Sequence, residues 1–448
     1  METKMLVVGL GKSGVAAALY GVAQGNCVTV TDQKSADDLP EAMAKLHGMP
    51  VRWELGGHSD ELFAEQDLIV VSPGVPLNLP ALKTARAKNI PIVGEMELAL
   101  QQIDRPIISV TGTNGKTTTV TLIDHLLKTA GKKSLLAGNV GTPLLQVFLE
   151  AAKSDWVVLE VSSYQLETTP SLVPTVSIWL NVTEDHLDWH ESFENYAAAK
   201  AKMMHATRSD GLAIYNADDS LVAHLVSRIP KPVLPFSVQR QLKIGGWVEE
   251  GALCIRLKAN QPTTKYFLAD LPLKGIHNWQ NMLAAVLAVS FAGLPEEAIR
   301  KGLQSFFGLP HRMQSVGTVR GVHYINDSKA TNVGAVEMAL ASVQGRVLWI
   351  AGGRDKGGSY APLLTKAKGK VCRVILFGEA RKTMQKVFEK EFSTAVVNTL
   401  EEATKIASRE AKPGETVLFS PACSSFDQFT NYAERGEYFK ALVKKIII

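Results

Sequence analysis

Cysteine is scarce: the 448 residues hold four, Cys27, Cys254, Cys372 and Cys423. They lie far apart and form no C-x-x-C pair, which argues against a zinc site or a disulfide framework and fits a reducing cytoplasm. Long apolar runs are missing as well. The longest, Leu283 to Leu294 apart from Ser290, is about 12 residues, where a bilayer span needs roughly 20, so it reads as a buried helix and no membrane insertion is expected. The opening METKM runs directly into the strand-like LVVGL, without the apolar core of an export signal, so export is not expected. No block of one charge sign occurs. The 48 basic and 44 acidic residues are scattered and leave a formal charge of +4, so there is no basic stripe and no nucleic acid partner is expected. Repeats of roughly 20 to 50 residues, low-complexity tracts and long linkers are absent too, so domain boundaries must be read from motif restarts and not from composition.

What is present suits a soluble globular protein: 46% hydrophobic and 21% charged residues. A chain of this length exceeds the roughly 250 to 300 residues at which one core stops growing, so two or three domains are expected.

The most informative stretch is IISVTGTNGKTTTVT, from Ile107 to Thr121. A β-branched apolar run, a Gly/Asn turn, a lysine with threonines and a helical pattern predict a strand, a phosphate cradle and a helix. Close-set backbone N–H groups and a helix N-terminus hold phosphate oxygens, a lysine balances their charge, and a threonine hydroxyl binds magnesium. The pattern is the short G-x-x-G-K-T, since Val110 stands where the longer phosphate loop would have glycine. The expectation is an ATP site, with Lys116 on the β/γ-phosphates and Thr117 on magnesium.

Upstream, MLVVGLGKSG places Gly9, Gly11 and Gly14 in G-x-G-x-x-G between a strand and a helix, and Cys27 to Thr31 is the next strand, closing on Asp32. An acidic residue about 20 positions after the glycines is suited to a ribose hydroxyl. That fits a nicotinamide dinucleotide and fits a nucleotide sugar equally well. DLIVVSPGVP, 67–76, adds a buried strand that breaks at Ser72, Pro73 and Gly74, either a plain turn or a loop at a ligand. Downstream, strands end in Gly138-Asn139-Val140-Gly141, in the lone carboxylate of Glu160, and in a polar cluster from Asn181 to Asp188 that includes His186. Magnesium, or failing that a salt bridge, would offset the cost of burying Glu160. YAAAKAKMMH, 196–205, is an alanine-rich helix in which composition gives Lys200 no special role. Residues 245–268 alternate as hairpin material, and Gly275 to Asn281 opens the apolar helix. A third unit starts near Leu309, with strands Val322 to Asn326, Val347 to Ala351 and Thr416 to Ser420 each ending in polar loops. Alternating strands and helices make the whole chain α/β.

Read together, TGTNGKTT, GNVG, LEVSSYQLE, NVTEDHLD, HNWQN, HR, NDSKATN and SPACSSFDQF give the chain, over essentially its whole length, a pattern that resembles the Mur ligases. Within that family, GLGKSG, SPGVP and SPACSSFDQF are most similar to the members that add D-glutamate to UDP-N-acetylmuramoyl-L-alanine in peptidoglycan synthesis. The resemblance implies three domains: an N-terminal Rossmann-like domain, 1–95, for the UDP substrate; a central P-loop ATPase-like domain, 96–308; and a C-terminal doubly wound, Rossmann-like domain, 309–448, for the amino acid. It implies a cytoplasmic, monomeric ATP-dependent ligase using two magnesium ions.

By motif, it implies that Gly112, Thr113, Asn114, Gly115, Lys116, Thr117, Thr118, Asn278, Asn281, Arg312 and Asp327 bind ATP. Glu160 and Thr117 would serve one metal; His186, with a carbamylated Lys200, would serve the second. Lys116, His186 and Lys200 would form the catalytic set. The glycine turn with Gly11, Lys12 and Ser13, then Asp32, Ser72, Pro73, Gly74 and Asn139, would hold the nucleotide sugar. Lys329, Thr331, Lys356, Ser425, Phe426 and Tyr432 would hold D-glutamate.

Overall fold

A computed structural model describes residues 2–185, 187–355, 357 and 359–447. The chain forms two compact units, Met1–Phe306 and Phe307–Ile448. Among the described residues the first unit carries two sheets and the second carries one.

The first sheet contains β1 (Lys4–Val8), β2 (Cys27–Asp32), β3 (Val51–Leu55), β4 (Leu68–Val71) and β5 (Ile92–Gly94), all parallel in the order β3-β2-β1-β4-β5. Strands covered on both faces read as continuous apolar runs, as in β1, whose last four residues are buried. The strand order reverses between β1 and β4, and ligand crevices form at such a switch point. There the glycine turn meets the SPGVP loop: the Ser72 hydroxyl donates to the Gly9 carbonyl at 2.7 Å. Gly14 opens the helix Lys12–Ala23 so close to the turn that a Cβ would stand 1.9 Å from the Gly9 oxygen. Gly14→Ala is therefore expected to lower stability by about 1–3 kcal/mol, the range for overpacking, seen as a lower denaturant midpoint for the full chain.

The second sheet contains β6 (Ile107–Thr111), β7 (Ser134–Gly138), β8 (Trp156–Glu160), β9 (Val176–Trp179), β10 (Leu212–Asn216), β11 (Val233–Ser237), β12 (Gly245–Glu249), β13 (Ala252–Arg256) and β14 (Thr264–Phe267). Its order is β14-β13-β12-β11-β10-β9-β6-β8-β7, parallel from β7 to β12 and antiparallel through β13 and β14. The expected hairpin material is this antiparallel edge. Its first turn, Glu250–Gly251, has positive φ at both residues, the geometry that matches strand twist. The apolar run is the helix Ile276–Phe291, buried from Asn281 to Val289 and packed on the helix Lys116–Thr129. No described helix is long and apolar enough to cross a membrane.

Between these sheets the segment from Gly94 to Leu100 acts as a strap. The Gly94 N–H donates to the Thr168 carbonyl at 2.8 Å, the Ser171 N–H donates to Glu97 at 2.9 Å, and the Leu145 N–H donates to Glu95 at 3.0 Å.

The second unit holds β15 (Gln314–Val319), β16 (Val322–Asn326), β17 (Val347–Gly352), β18 (Val371–Phe377), β19 (Thr394–Val396) and β20 (Thr416–Ala422), in the order β15-β16-β20-β17-β18-β19. All but the β15–β16 pair are parallel. Neighbouring strands β16, β20 and β17 bring their polar C-terminal loops side by side.

Candidate active site

In the second sheet β6 lies between β8 and β9, so the loops that leave these three strands are adjacent. The loop after β6 turns at Gly112 and Gly115 into the helix Lys116–Thr129, whose N-cap, Gly115, supplies no side-chain hydrogen bond. The first-turn N–H groups of that helix thus meet no cap from its own N-cap residue, which is the arrangement that receives anionic oxygens. The loop is shaped from across the sheet: Asn181, after β9, accepts the Asn114 N–H at 2.8 Å and donates to the Asn114 carbonyl at 3.1 Å. Thr113 donates its N–H to the Asn181 carbonyl at 3.1 Å, and its hydroxyl lies 3.1 Å from the Tyr196 hydroxyl.

Gly115 has φ of 87°, and a Cβ there would stand 2.4 Å from Asn281 Oδ1. Asn281 is thus against the loop, although Asn278 turns its amide to the Lys274 carbonyl at 2.8 Å. Gly115→Ala is expected to weaken nucleotide binding roughly tenfold, since left-handed backbone costs an L-residue about 1–2 kcal/mol and the Asn281 contact must also shift. Titration with ADP measures it.

Two lysines converge on one carbonyl. Lys116 Nζ donates to the oxygens of Gly112 at 2.7 Å and Thr113 at 2.9 Å, while Lys200 Nζ, 88 residues away in sequence, reaches the Gly112 oxygen at 3.2 Å. Lys200 is 1% exposed and its Nζ stands 4.5 Å over the Tyr196 ring. Burial, reinforced by the Lys116 charge and opposed by Asp185, pushes its pKa down to about 7. Tyr196 carried no signal in composition, though its place four residues before Lys200 puts both on one helical face.

Glu160 ends β8 and is 2% exposed. Its Oε1 accepts from Asn139 Nδ2 at 2.7 Å, while Oε2 has no hydrogen-bond partner among the described residues. A buried carboxylate oxygen without a partner is costly, and a cation held there would offset that cost. The described residues contain no group of three or more His, Cys, Asp and Glu placed to hold a metal; the expected donors include a threonine hydroxyl and a lysine. His186 lies outside the described residues.

At the first sheet, Gly11 and Lys12 are exposed. Asp32 accepts the Leu10 N–H at 2.7 Å and the Lys34 N–H at 2.9 Å, so its carboxylate braces the glycine turn.

In the second unit, Asp327 is 4% exposed and accepts from the Ser420 hydroxyl at 2.7 Å and the Met313 N–H at 3.1 Å. Burial outweighs these bonds and pushes its pKa up to about 6. Arg312 is exposed. Lys329 Nζ lies 5.8 Å over the Tyr432 ring, Ser425 is buried, and Phe426 is 61% exposed. Lys356 lies outside the described residues. These loops share a tie that sequence reading passed over. Arg435, fully buried, donates to the Ser328 hydroxyl at 3.1 Å and to the carbonyls of Ser328, Ser424 and Cys423 at 2.9, 2.9 and 3.1 Å.

Three family descriptions match the chain: "Mur ligase MurD-like, N-terminal domain" over 3–94, "Mur ligase middle domain" over 110–289, and "Mur ligase, glutamate ligase domain" over 311–423. The chain is 42% identical over 441 residues to the protein of Geobacter sp. (strain M21) named UDP-N-acetylmuramoylalanine--D-glutamate ligase, covering 98% of this chain and 97% of that one. It is 43% identical over 444 residues to the protein of the same name from Koribacter versatilis (strain Ellin345), covering 99% and 97%. The crystal structure of the UDP-N-acetylmuramate-alanine ligase MurC from Thermotoga maritima shares the fold, with a TM-score of 0.60 at 19% identity, covering 99% of this chain and 100% of that one.

Proposed function

Because the chain belongs to the Mur ligase family, we propose that it is an ATP-dependent ligase that joins D-glutamate to UDP-N-acetylmuramoyl-L-alanine, releasing ADP and phosphate, in cytoplasmic peptidoglycan precursor synthesis. The observation that carries the reading is the meeting of Lys116 and Lys200 at the Gly112 carbonyl, in the loop that leaves β6 beside the strand that ends in Glu160. Lys116 at a helix N-terminus suits a polyphosphate, and Lys200, reaching the same carbonyl, stands where a group serving a phosphate-bound metal is needed.

A free carboxylate resists attack by an amine. Transfer of the γ-phosphoryl group of ATP to the carboxylate of the muramoyl-alanine gives an acyl phosphate, with phosphate as leaving group. The D-glutamate amine then forms the new C–N bond as the C–O bond to phosphate breaks, and the amine proton leaves. Positioning and charge neutralisation supply most of the acceleration. Lys116 is assigned to the transferred phosphoryl group, and the backbone of 112–118 with Asn278, Asn281, Arg312 and Asp327 is assigned to the nucleotide.

The donor chemistry fits magnesium, which takes hard oxygen ligands: Glu160 offers an unpartnered oxygen and Thr117 a hydroxyl at the helix start. A second ion is assigned to His186 and to Lys200 as its carbamate. A lysine with a pKa near 7 holds a neutral fraction whose nitrogen can add to the carbon of CO2 and lose a proton, which replaces a cation by an anionic oxygen donor. Bound there, the ions would neutralise phosphate charge.

Domains 1–95, 96–308 and 309–448 are assigned to the nucleotide sugar, to ATP and to D-glutamate, within a monomer. Gly11, Lys12, Ser13, Asp32, Ser72, Pro73, Gly74 and Asn139 are assigned to the first substrate; Lys329, Thr331, Lys356, Ser425, Phe426 and Tyr432 to the amino acid. The test is phosphate release from ATP and UDP-N-acetylmuramoyl-L-alanine with D-glutamate, with L-glutamate or with neither. Release that requires D-glutamate, with an amide product of matching mass, is expected. Equal release with L-glutamate would reject the stereospecific reading.

A further inference from the structure

Glu95 belongs to none of the assigned sets, yet it is buried where the two sheets of the first unit meet. It is 2% exposed at the start of the helix Glu95–Leu100, and its side chain leaves that helix to accept the Leu145 N–H at 3.0 Å. Its other oxygen has no hydrogen-bond partner among the described residues. Leu145 lies in the 3-10 turn Leu144–Gln146, directly after the loop that carries Asn139. That loop is closed at its base by the Gly138 N–H on the Thr142 carbonyl, and Pro143 leads from it into the turn. One end of the loop is therefore fixed by β7, and the other hangs from Glu95.

We propose that Glu95 is a positioning residue for the nucleotide-sugar substrate: by holding the turn at Leu145 it sets the loop that presents Asn139, and it registers that loop against the first sheet. This rests on the reading above that Asn139 touches substrate. Asn139 itself donates to Glu160 Oε1, so the same loop joins the substrate side to the carboxylate at the phosphate loop.

The position makes the hold sensitive to protons. Burial pushes the Glu95 pKa up to about 7, against the lowering effect of the Leu145 and Leu144 N–H groups. The elements packed against its helix are β5, the turn at Leu144 and the helix Lys12–Ala23. Titratable residues on them are Lys12 and Tyr20 of that last helix, with Glu97 on Glu95's own helix. Above pH 7 the carboxylate accepts strongly from the turn; as pH falls through 7 it protonates and becomes a weaker acceptor. A hydrogen bond to a charged acceptor is stronger than one to a neutral acceptor, so roughly a tenfold rise in KM for the nucleotide sugar is expected on going from pH 8 to pH 6. The KM for D-glutamate should not follow it.

The experiment compares the full chain with Glu95→Gln and Glu95→Ala across that range, with hydrogen exchange of residues 138–146 as a second readout. Glu95→Gln should lose the pH step and keep the low-pH KM throughout; Glu95→Ala should raise KM further and speed exchange at Leu145, with kcat at saturation little changed. A KM step that survives in Glu95→Gln, or unchanged Leu145 exchange in both variants, would overturn the proposal. Asn139→Ala separates the two readings. A raised KM there with no KM effect in either Glu95 variant defeats the role of Glu95 alone; no KM effect of Asn139→Ala defeats the assignment of substrate to the loop, whatever the exchange at Leu145 shows.

Discussion

Lys116→Ala is expected to reduce turnover on the order of a hundredfold or more, the scale for removing one donor from a transition state in which charge moves. The lysine also donates to the Gly112 and Thr113 carbonyls, so part of the loss could reflect a slack loop instead of missing charge. Lys116→Arg separates these effects, because it keeps the charge and alters the reach. Single-turnover phosphoryl transfer, measured beside the melting temperature of each variant, reads the chemical step. Near wild-type turnover in a folded Lys116→Ala protein would remove this lysine from the catalytic set.

The second large effect is expected at Lys200. Lys200→Ala should abolish turnover, and short carboxylates such as acetate or formate should restore part of it by supplying an anionic oxygen donor in the space vacated. A lysine serving only as a buried cation predicts the opposite response, since an added anion would not replace it. Its surroundings make the contrast sharp: the residue is 1% exposed, its amine set over the Tyr196 ring and close enough to Lys116 to feel its charge. Restoration by added carboxylates with no change in melting temperature supports the carbamate; full activity in Lys200→Ala rejects it.

How legible these features are in the sequence depends on how local their causes are. The strands at Met5, Val322, Val347 and Thr416 announce themselves as largely apolar runs that end in glycine or polar residues, because strands buried on both faces need little else. The phosphate loop is legible for the same reason, since strand, turn and helix follow one another within fifteen residues of sequence. Short or half-buried strands such as β3, β15 and β19, with few fully buried positions, give no such run. Lys200 is the clearest case of a role hidden from local pattern. Its alanine-rich helix looks like any surface helix, and only the contact with Gly112, 88 residues away, makes it special. Asn181 and Arg435 are obscured in the same way, because their partners lie 67 and up to 107 residues off. Asp32 shows the converse. Its spacing from the glycines is plain in the sequence, but its use of one carboxylate oxygen to brace the turn at Leu10 while the other accepts from Lys34 depends on a backbone path that spacing does not encode.

The Arg435 guanidinium has a consequence for the order in which the protein is made. The loops it fastens, at Ser328 and at Cys423 and Ser424, lie earlier in the chain than the helix Tyr432–Ile447 that supplies it. A ribosome therefore releases the pieces before the clasp, and units generally fold in the order of synthesis. A nascent chain halted short of Arg435 holds both sheets of the first unit, phosphate loop included, while the loops of the second stay unfastened. Translation thus completes the unit with the phosphate loop first, and the unit to which the amino acid is assigned closes only as the last helix docks.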